Sequence, residues 1–126
     1  MFSINRATLI GFLGKDAEVK TTRNNASFAV LSLATNRSWK DPESGEYKSD
    51  VSWHRCVAFG RAGEYAAALL KGAHVQIDGE IRTREYTEKT RGKKPATVKK
   101  TITEIRVRRI AKLDRPNKSD HEEDAA

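Results

Sequence analysis

The stretch VSWHRCVAFG, residues 51–60, alternates like an extended strand but distributes its large residues in an unusual way. Successive side chains of a strand point to opposite faces, so one face carries Trp53, Arg55, Val57 and Phe59. The other face receives small or polar residues, namely Ser52, His54, Cys56 and Ala58. A buried face normally takes the bulky apolar residues, yet here a cation stands between two large rings. The pattern indicates an exposed face that suits a ligand with two properties, flat rings that can stack and negative charge.

The segments around this strand predict a small β-rich domain. Two strand-like stretches precede it, RATLIGFL (6–13) and SFAVLSLATNRSW (27–39), and two follow it, HVQIDGEIRTREY (74–86) and TITEIRVRRIAKL (101–113). Between these stretches lie segments rich in Gly, Pro, Asn and Ser, which are typical of turns. RAGEYAAALLKG (61–72) is instead rich in alanine and ends in Gly72, as short helices do.

This order of elements favours one architecture. Five antiparallel strands with one helix between strands 3 and 4 predict an all-β fold, the five-stranded Greek-key barrel called the OB-fold. We expect the barrel to occupy residues 1–113 and a short, acidic, flexible tail to occupy residues 114–126. Barrels of this type present a strand face and flanking loops to oligonucleotides.

Charge is divided unevenly along the chain. The net charge is +7, but residues 114–126 hold five acidic and two basic residues, a balance of −3, which leaves +10 on the body. A basic body attracts polyanions, nucleic acid first among them. No apolar run is long enough to span a bilayer, and the first residues lack the pattern of a secretion signal. With Cys56 as the single cysteine, we expect a cytoplasmic protein without membrane contact.

Aromatic residues and cations alternate at several places in the sequence. We predict that four rings stack on bases: Trp39, Trp53, Phe59 and Tyr86. Each lies within two residues of an arginine or lysine, and such rings are difficult to bury because the neighbouring charge would need desolvation or a partner. Unpaired bases stack on exposed rings for about 1–3 kcal/mol each, while duplex DNA hides its base faces. The pattern therefore indicates single-stranded nucleic acid.

Cations near these rings complete the predicted site, because Lys and Arg follow the phosphates of a bound strand. Seven are predicted to neutralise phosphates: Arg37, Arg55, Arg61, Arg82, Arg84, Lys93 and Lys94. The last two lie in TEKTRGKKPATVKK (87–100), which is predicted to be a cationic hairpin loop.

Several blocks resemble the bacterial-type single-stranded DNA-binding protein family, and they occur in the same order. They are LIGFLGKDAEVK (9–20), FAVLSLATNRSWKD (28–41), GEY (45–47), WHRCVAFG (53–60), KGAHVQIDGEIRTREY (71–86) and TEI (103–105). The resemblance covers roughly residues 4–110. It implies an OB-fold, a homotetramer, and binding of single-stranded DNA without marked sequence preference. The implied role is to coat and protect that DNA in replication, recombination and repair.

The resemblance also implies roles for individual residues. The family's stacking positions fall on the same four rings, although the family usually has Trp where this chain has Tyr86. His54 matches a histidine at a subunit interface of the family; a partly buried histidine with a local hydrogen bond is the alternative. Family members typically end in Asp-Ile-Pro-Phe after a long linker, and that end recruits replication and repair proteins. This chain ends in HEEDAA (121–126) without the Ile-Pro-Phe anchor, so recruitment by the tail is doubtful and a solubilising end is favoured.

Three other functions stay open at this point. A primosomal PriB-like OB-fold protein in replication restart would be a dimer, an RNA-binding OB-fold would use the same stacking, and an OB-type nuclease would cleave DNA. We predict no enzyme activity, no cofactor and no metal site. GFLGKD (11–16) lacks the spacing of a phosphate loop, and the three histidines have no metal-ligand spacing with Cys56 or one another.

Overall fold

The strands of the chain form one sheet that closes on itself. The computed structural model describes residues 2–89, 91–92 and 96–114. Within them the elements are β1 (Ala7–Leu13), β2 (Glu18–Thr21), β3 (Ser27–Lys40), β4 (Tyr47–Phe59), α1 (Gly60–Ala67), β5 (His74–Lys89) and β6 (Thr97–Lys112). The tail from residue 115 onward, and with it the predicted flexibility of the chain's end, lies outside the described residues.

Strand β1 closes the barrel because it pairs on both of its edges. It is antiparallel to β5 from Ala7 to Phe12, and its last two residues, Phe12 and Leu13, also pair with β3. After a short interruption, β2 continues along the same edge of β3. Strands β1 and β2 therefore act as one barrel strand, and the predicted five-stranded barrel is confirmed. The short strand β2 was missed, because the polar segment GKDAE predicts the end of a strand.

One seam of the barrel is parallel. Strand β3 is antiparallel to β4, and β5 is antiparallel to β6, but β4 and β6 run in the same direction where Cys56 and Val57 lie opposite Ile105 and Arg106. The expectation of antiparallel strands throughout is wrong here. The reason is geometric, since a closed ring with an odd number of strands cannot alternate direction at every seam.

The helix is shorter than predicted. It spans Gly60–Ala67, whereas the sequence predicts a helix over 61–72. Gly72 has a φ of +90° and forms part of a separate turn, in which its N–H donates to the carbonyl of Leu13 at 2.8 Å. The glycine therefore ties the end of this turn to β1. Within the described part of the chain, no helix has the length and apolar character needed to cross a bilayer.

Small and medium-sized side chains fill the barrel. The buried cluster consists of Leu13, Ala29, Leu31, Leu33, Cys56, Ala58, Ala66, Leu69, Ala73, Val75, Ile77, Ile105 and Val107. Cys56 and Ala58 are fully buried, so the small-residue face of segment 51–60 points inward. A barrel of few strands has a narrow interior, which accounts for this choice. The large residues of β4 are left to the outside, as the sequence indicates.

Burial should make the thiol of Cys56 unreactive. Desolvation raises its pKa to about 12, so almost none of it is thiolate at mildly alkaline pH, and thiolate is the reactive form. We expect a thiol-specific dye to leave the folded protein unlabelled and to label one thiol per chain in concentrated guanidinium. Labelling of the folded protein as fast as the unfolded chain would contradict this burial.

Candidate nucleic-acid interface

The outward face of β4 carries the large and charged residues of segment 51–60. Trp53 is 61% exposed, whereas Arg55 and Phe59 are half-buried. Their cross-strand neighbours on β3 are, in the same order, Ala34, Ser32 and Phe28. Because Ala34 and Ser32 are small, they leave the indole and the guanidinium room to project from the sheet.

A groove of about 450 Å³ lies beside these residues. Four arginines and two aromatic rings line it: Arg23, Arg55, Arg84, Arg106, Phe28 and Phe59. Arg55, Phe59 and Arg84 are predicted site residues, and the structure brings them together here. The sequence pattern did not indicate the other three, Arg23, Phe28 and Arg106. The alternation of β6 put Arg106 on an outward face, but nothing in the sequence showed that β6 lies next to β4.

Phe59 is in contact with its neighbours on both sides. The Phe28 ring stacks on it with centroids 5.0 Å apart and planes 17° apart, and the guanidinium carbon of Arg106 lies 3.9 Å from the Phe59 centroid. Strands β3 and β6 flank β4, so these two groups approach Phe59 from opposite sides. A base that stacks on Phe59 must therefore displace Arg106 or pack against it.

Glu104 joins two of the predicted phosphate-binding arginines. The Nε of Arg55 lies 3.1 Å from one carboxylate oxygen of Glu104, and the Nε of Arg84 lies 3.2 Å from the other. The Glu104 side chain is only 12% exposed. Since β4 and β5 lie on either side of β6, this one carboxylate connects cations across three neighbouring strands.

Arg82 is held more tightly than Arg55 or Arg84. Its Nε and Nη2 both contact one oxygen of Glu80, at 2.7 and 2.6 Å, and Arg108 Nη2 lies 2.9 Å from the other oxygen. The hydrogen bond from Arg82, with the charges of both guanidiniums, lowers the pKa of the Glu80 carboxyl. Glu80 therefore stays ionised, and it occupies donors that Arg82 would otherwise offer to a phosphate.

The other two predicted stacking residues lie on the extensions of the two long hairpins. Trp39 is 39% exposed, and the guanidinium carbon of Arg37 lies 4.7 Å from its ring centroid. Trp39 lies opposite Lys48, so strand alternation puts it on the other face of the β3–β4 ribbon from Trp53. Tyr86 lies opposite Lys100 near the end of the β5–β6 ribbon. The four rings thus do not share a single face.

The remaining predicted residues are placed as follows. Arg61 is exposed in the first turn of α1. His54 is half-buried, with Nε2 2.9 Å from the hydroxyl oxygen of Thr35, so the local hydrogen bond exists and the interface role stays a prediction. Lys93 and Lys94 lie outside the described residues. Among the side chains that are described, no three His, Cys, Asp or Glu residues are grouped so that they could hold a metal ion.

An OB barrel with an exposed indole beside an arginine-lined groove is the arrangement expected of a protein that binds unpaired nucleic acid. The chain belongs to the single-strand binding protein family, whose model matches residues 4–113. This membership confirms the resemblance seen in the sequence.

Two solved structures are similar to this chain. The single-stranded DNA-binding protein of Plasmodium falciparum, solved in complex with single-stranded DNA, is 31% identical with a TM-score of 0.72; the match covers 90% of this chain and 98% of that one. A deletion mutant of the single-stranded DNA-binding protein from Thermus aquaticus is 25% identical with a TM-score of 0.68. That match covers 88% of this chain and 51% of the other, so this chain spans about half the length of that mutant chain. The similarity confirms the OB-fold.

The position of Trp53 depends on Gly14. A Cβ built on Gly14 would lie 2.3 Å from Cζ3 of the Trp53 ring, and the Gly14 N–H donates to the Ser32 carbonyl at 3.0 Å. We expect Gly14→Ala to move the indole with little effect on thermal stability, because the clash is with the outer edge of an exposed side chain. Affinity for a dT oligonucleotide should fall by part of the ~1–3 kcal/mol that a stacked base contributes.

The control for this substitution is the Trp53→Ala background. There the added methyl group has no indole to displace, so Gly14→Ala should cause no further loss of affinity in an anisotropy titration. An unchanged affinity of Gly14→Ala in the otherwise normal protein would show that the indole position does not matter for binding.

Proposed function

We propose that the protein binds single-stranded DNA and coats and protects it during replication, recombination and repair, without catalysing a reaction. The observation that carries this proposal is the exposed indole of Trp53 beside a groove lined by four arginines, on a member of the single-strand binding protein family. Bases stack on such rings while arginines neutralise phosphates. The structure of the Plasmodium protein in complex with single-stranded DNA supports the same function.

Each group of residues has a separate role in this proposal. Trp53 stacks a base on the open face of β4, and Phe59 contacts one inside the groove beside Arg106. Trp39 and Tyr86 extend the path along the two ribbons, since both are partly exposed. The predicted cations neutralise phosphates along this path: Arg37, Arg55, Arg61, Arg82, Arg84, Lys93 and Lys94.

We further propose that the protein is a homotetramer with His54 near a subunit interface. Strand β1 supports an assembly because two apolar residues on its outward face are exposed, with Ile10 52% and Phe12 48% accessible. Exposed apolar patches of this kind commonly mark protein interfaces. Mass measurement in solution separates the tetramer from the dimer expected of a PriB-like protein. We also propose that the protein is located in the cytoplasm.

Stacking and phosphate contacts should respond differently to salt. We expect Trp53→Ala to weaken binding of a labelled dT oligonucleotide by about 1–3 kcal/mol without changing the salt dependence. Arg55→Ala should instead reduce the slope of log K against log salt by about 0.7, because one phosphate contact is lost. Anisotropy titrations over a range of salt concentrations measure both quantities.

Two exposed residues in the turn after α1 provide matched controls. Leu70 is 64% exposed, close to the value for Trp53, and Lys71 carries a charge outside the groove. Alanine at either position should leave affinity and slope nearly unchanged. Equal slopes for Trp53→Ala and Arg55→Ala would contradict the division of roles.

Competition experiments test the other candidate functions. Oligo-dT should displace the labelled strand at least as well as oligo-U, whereas a marked preference for oligo-U would indicate an RNA-binding protein. The labelled DNA should stay intact during incubation with Mg²⁺ or Ca²⁺. Cleavage under these conditions would contradict a purely binding function.

A further inference from the structure

We infer that Glu104 is a positioning residue for nucleic-acid binding: it holds the guanidinium groups of Arg55 and Arg84 so that both present their terminal nitrogens to the groove. The inference rests on the proposed function, and it assigns an acidic side chain a favourable role in a site for a polyanion. An acid at such a site would ordinarily be expected to repel the ligand.

The two arginines bind Glu104 through the same atom of their guanidinium groups. Both arginines reach Glu104 through Nε, at 3.1 and 3.2 Å. A guanidinium has five N–H donors in a rigid fork, so engaging Nε fixes the plane of the group while the terminal nitrogens can bind a phosphate. Among the residues that the structure describes, neither arginine has a second carboxylate within ion-pair distance.

The Glu104 carboxylate has two opposing effects on the binding of a polyanion. Ordering a long side chain when a ligand binds reduces affinity about two- to tenfold, and Glu104 orders two such chains in advance. Repulsion between Glu104 and a phosphate beyond the arginines is smaller, because the charge of the carboxylate is already paired with the two guanidiniums that separate the groups. Positioning therefore outweighs repulsion at this site.

Glu80 offers a natural contrast. It also binds two arginines, and its side chain is 18% exposed against 12% for Glu104. However, it engages terminal nitrogens as well, namely Nη2 of Arg82 in addition to its Nε, and Nη2 of Arg108. It is also not among the described residues that line the groove. Glu80 therefore withdraws terminal nitrogens from a ligand, whereas Glu104 leaves them available. The two carboxylates should have opposite effects on binding.

The test compares Glu104→Gln with Glu80→Gln, which remove the same charge from similar surroundings. Binding of a labelled dT oligonucleotide is measured by anisotropy over a range of salt concentrations. We expect Glu104→Gln to weaken binding about three- to tenfold and to reduce the salt slope by about 0.7, since one arginine loses its phosphate contact. Glu80→Gln should bind as well as the unmodified protein or up to about threefold more tightly, with no reduction in slope.

Two further variants separate positioning from charge and from stability. Glu104→Asp keeps the charge but shortens the side chain, so it should also weaken binding. Arg84→Lys keeps the charge but has no Nε to orient, so its loss of affinity should be smaller in the Glu104→Gln background than in the normal protein. Thermal unfolding of each variant shows whether the fold is retained.

Several results would overturn the inference. Tighter binding by Glu104→Gln would show that the carboxylate only repels the ligand. Unchanged binding by Glu104→Asp would show that the charge alone matters and that the position of the carboxylate does not. A lower unfolding temperature with unchanged affinity and salt slope would assign Glu104 a structural role alone. If the unmodified protein did not bind oligo-dT at all, the proposed function itself would fail, and this result is distinct from the others.

Discussion

The narrow interior of the barrel is the constraint on which the binding face depends. Side chains from all five barrel strands must fit into one small core, and β4 contributes the fully buried Cys56 and Ala58. Strand alternation then leaves the other face of β4 for residues that the core cannot accept. For this reason the outward face of β4 carries Trp53, Arg55 and Phe59. The core takes the small side chains of this strand, and the binding surface is formed by the large ones.

The parallel seam between β4 and β6 provides the rest of the groove. It places Glu104 and Arg106 beside β4, although Arg55 and Glu104 are 49 residues apart in the chain. The result is a cluster in which one carboxylate and one aromatic ring hold three arginine side chains in place. Arg106 lies over Phe59, while Arg55 and Arg84 share Glu104. The contacts among these groups are therefore made within the protein itself, without a ligand.

Local regularities in the sequence predicted much of this molecule. Period-two alternation identified the main strands and placed Trp53 and Cys56 on opposite faces of β4, because it depends on nothing beyond the neighbouring residues. Val57, which alternation assigns to the same face as Trp53, is nevertheless only 5% exposed. Closure of a five-stranded ring requires one parallel seam, but the alternation within each strand could not show that this seam lies between β4 and β6. The contacts of Glu104 were missed for the same reason, although TEI (103–105) was noted as a family block. Helix α1 also ends at Ala67, before the alanine-rich pattern does, and Gly72 lies in a separate turn, where its N–H donates to a carbonyl of β1.

The central claim is that open indole faces on this barrel receive unpaired bases, and intrinsic tryptophan fluorescence tests it most directly. The protein has two tryptophans, and both are partly exposed. Titration with oligo-dT should quench their emission to a plateau, while a duplex of the same length should leave it nearly unchanged at moderate salt, because its base faces are covered. Emission that does not respond to oligo-dT, or that responds equally to the duplex, would contradict the account.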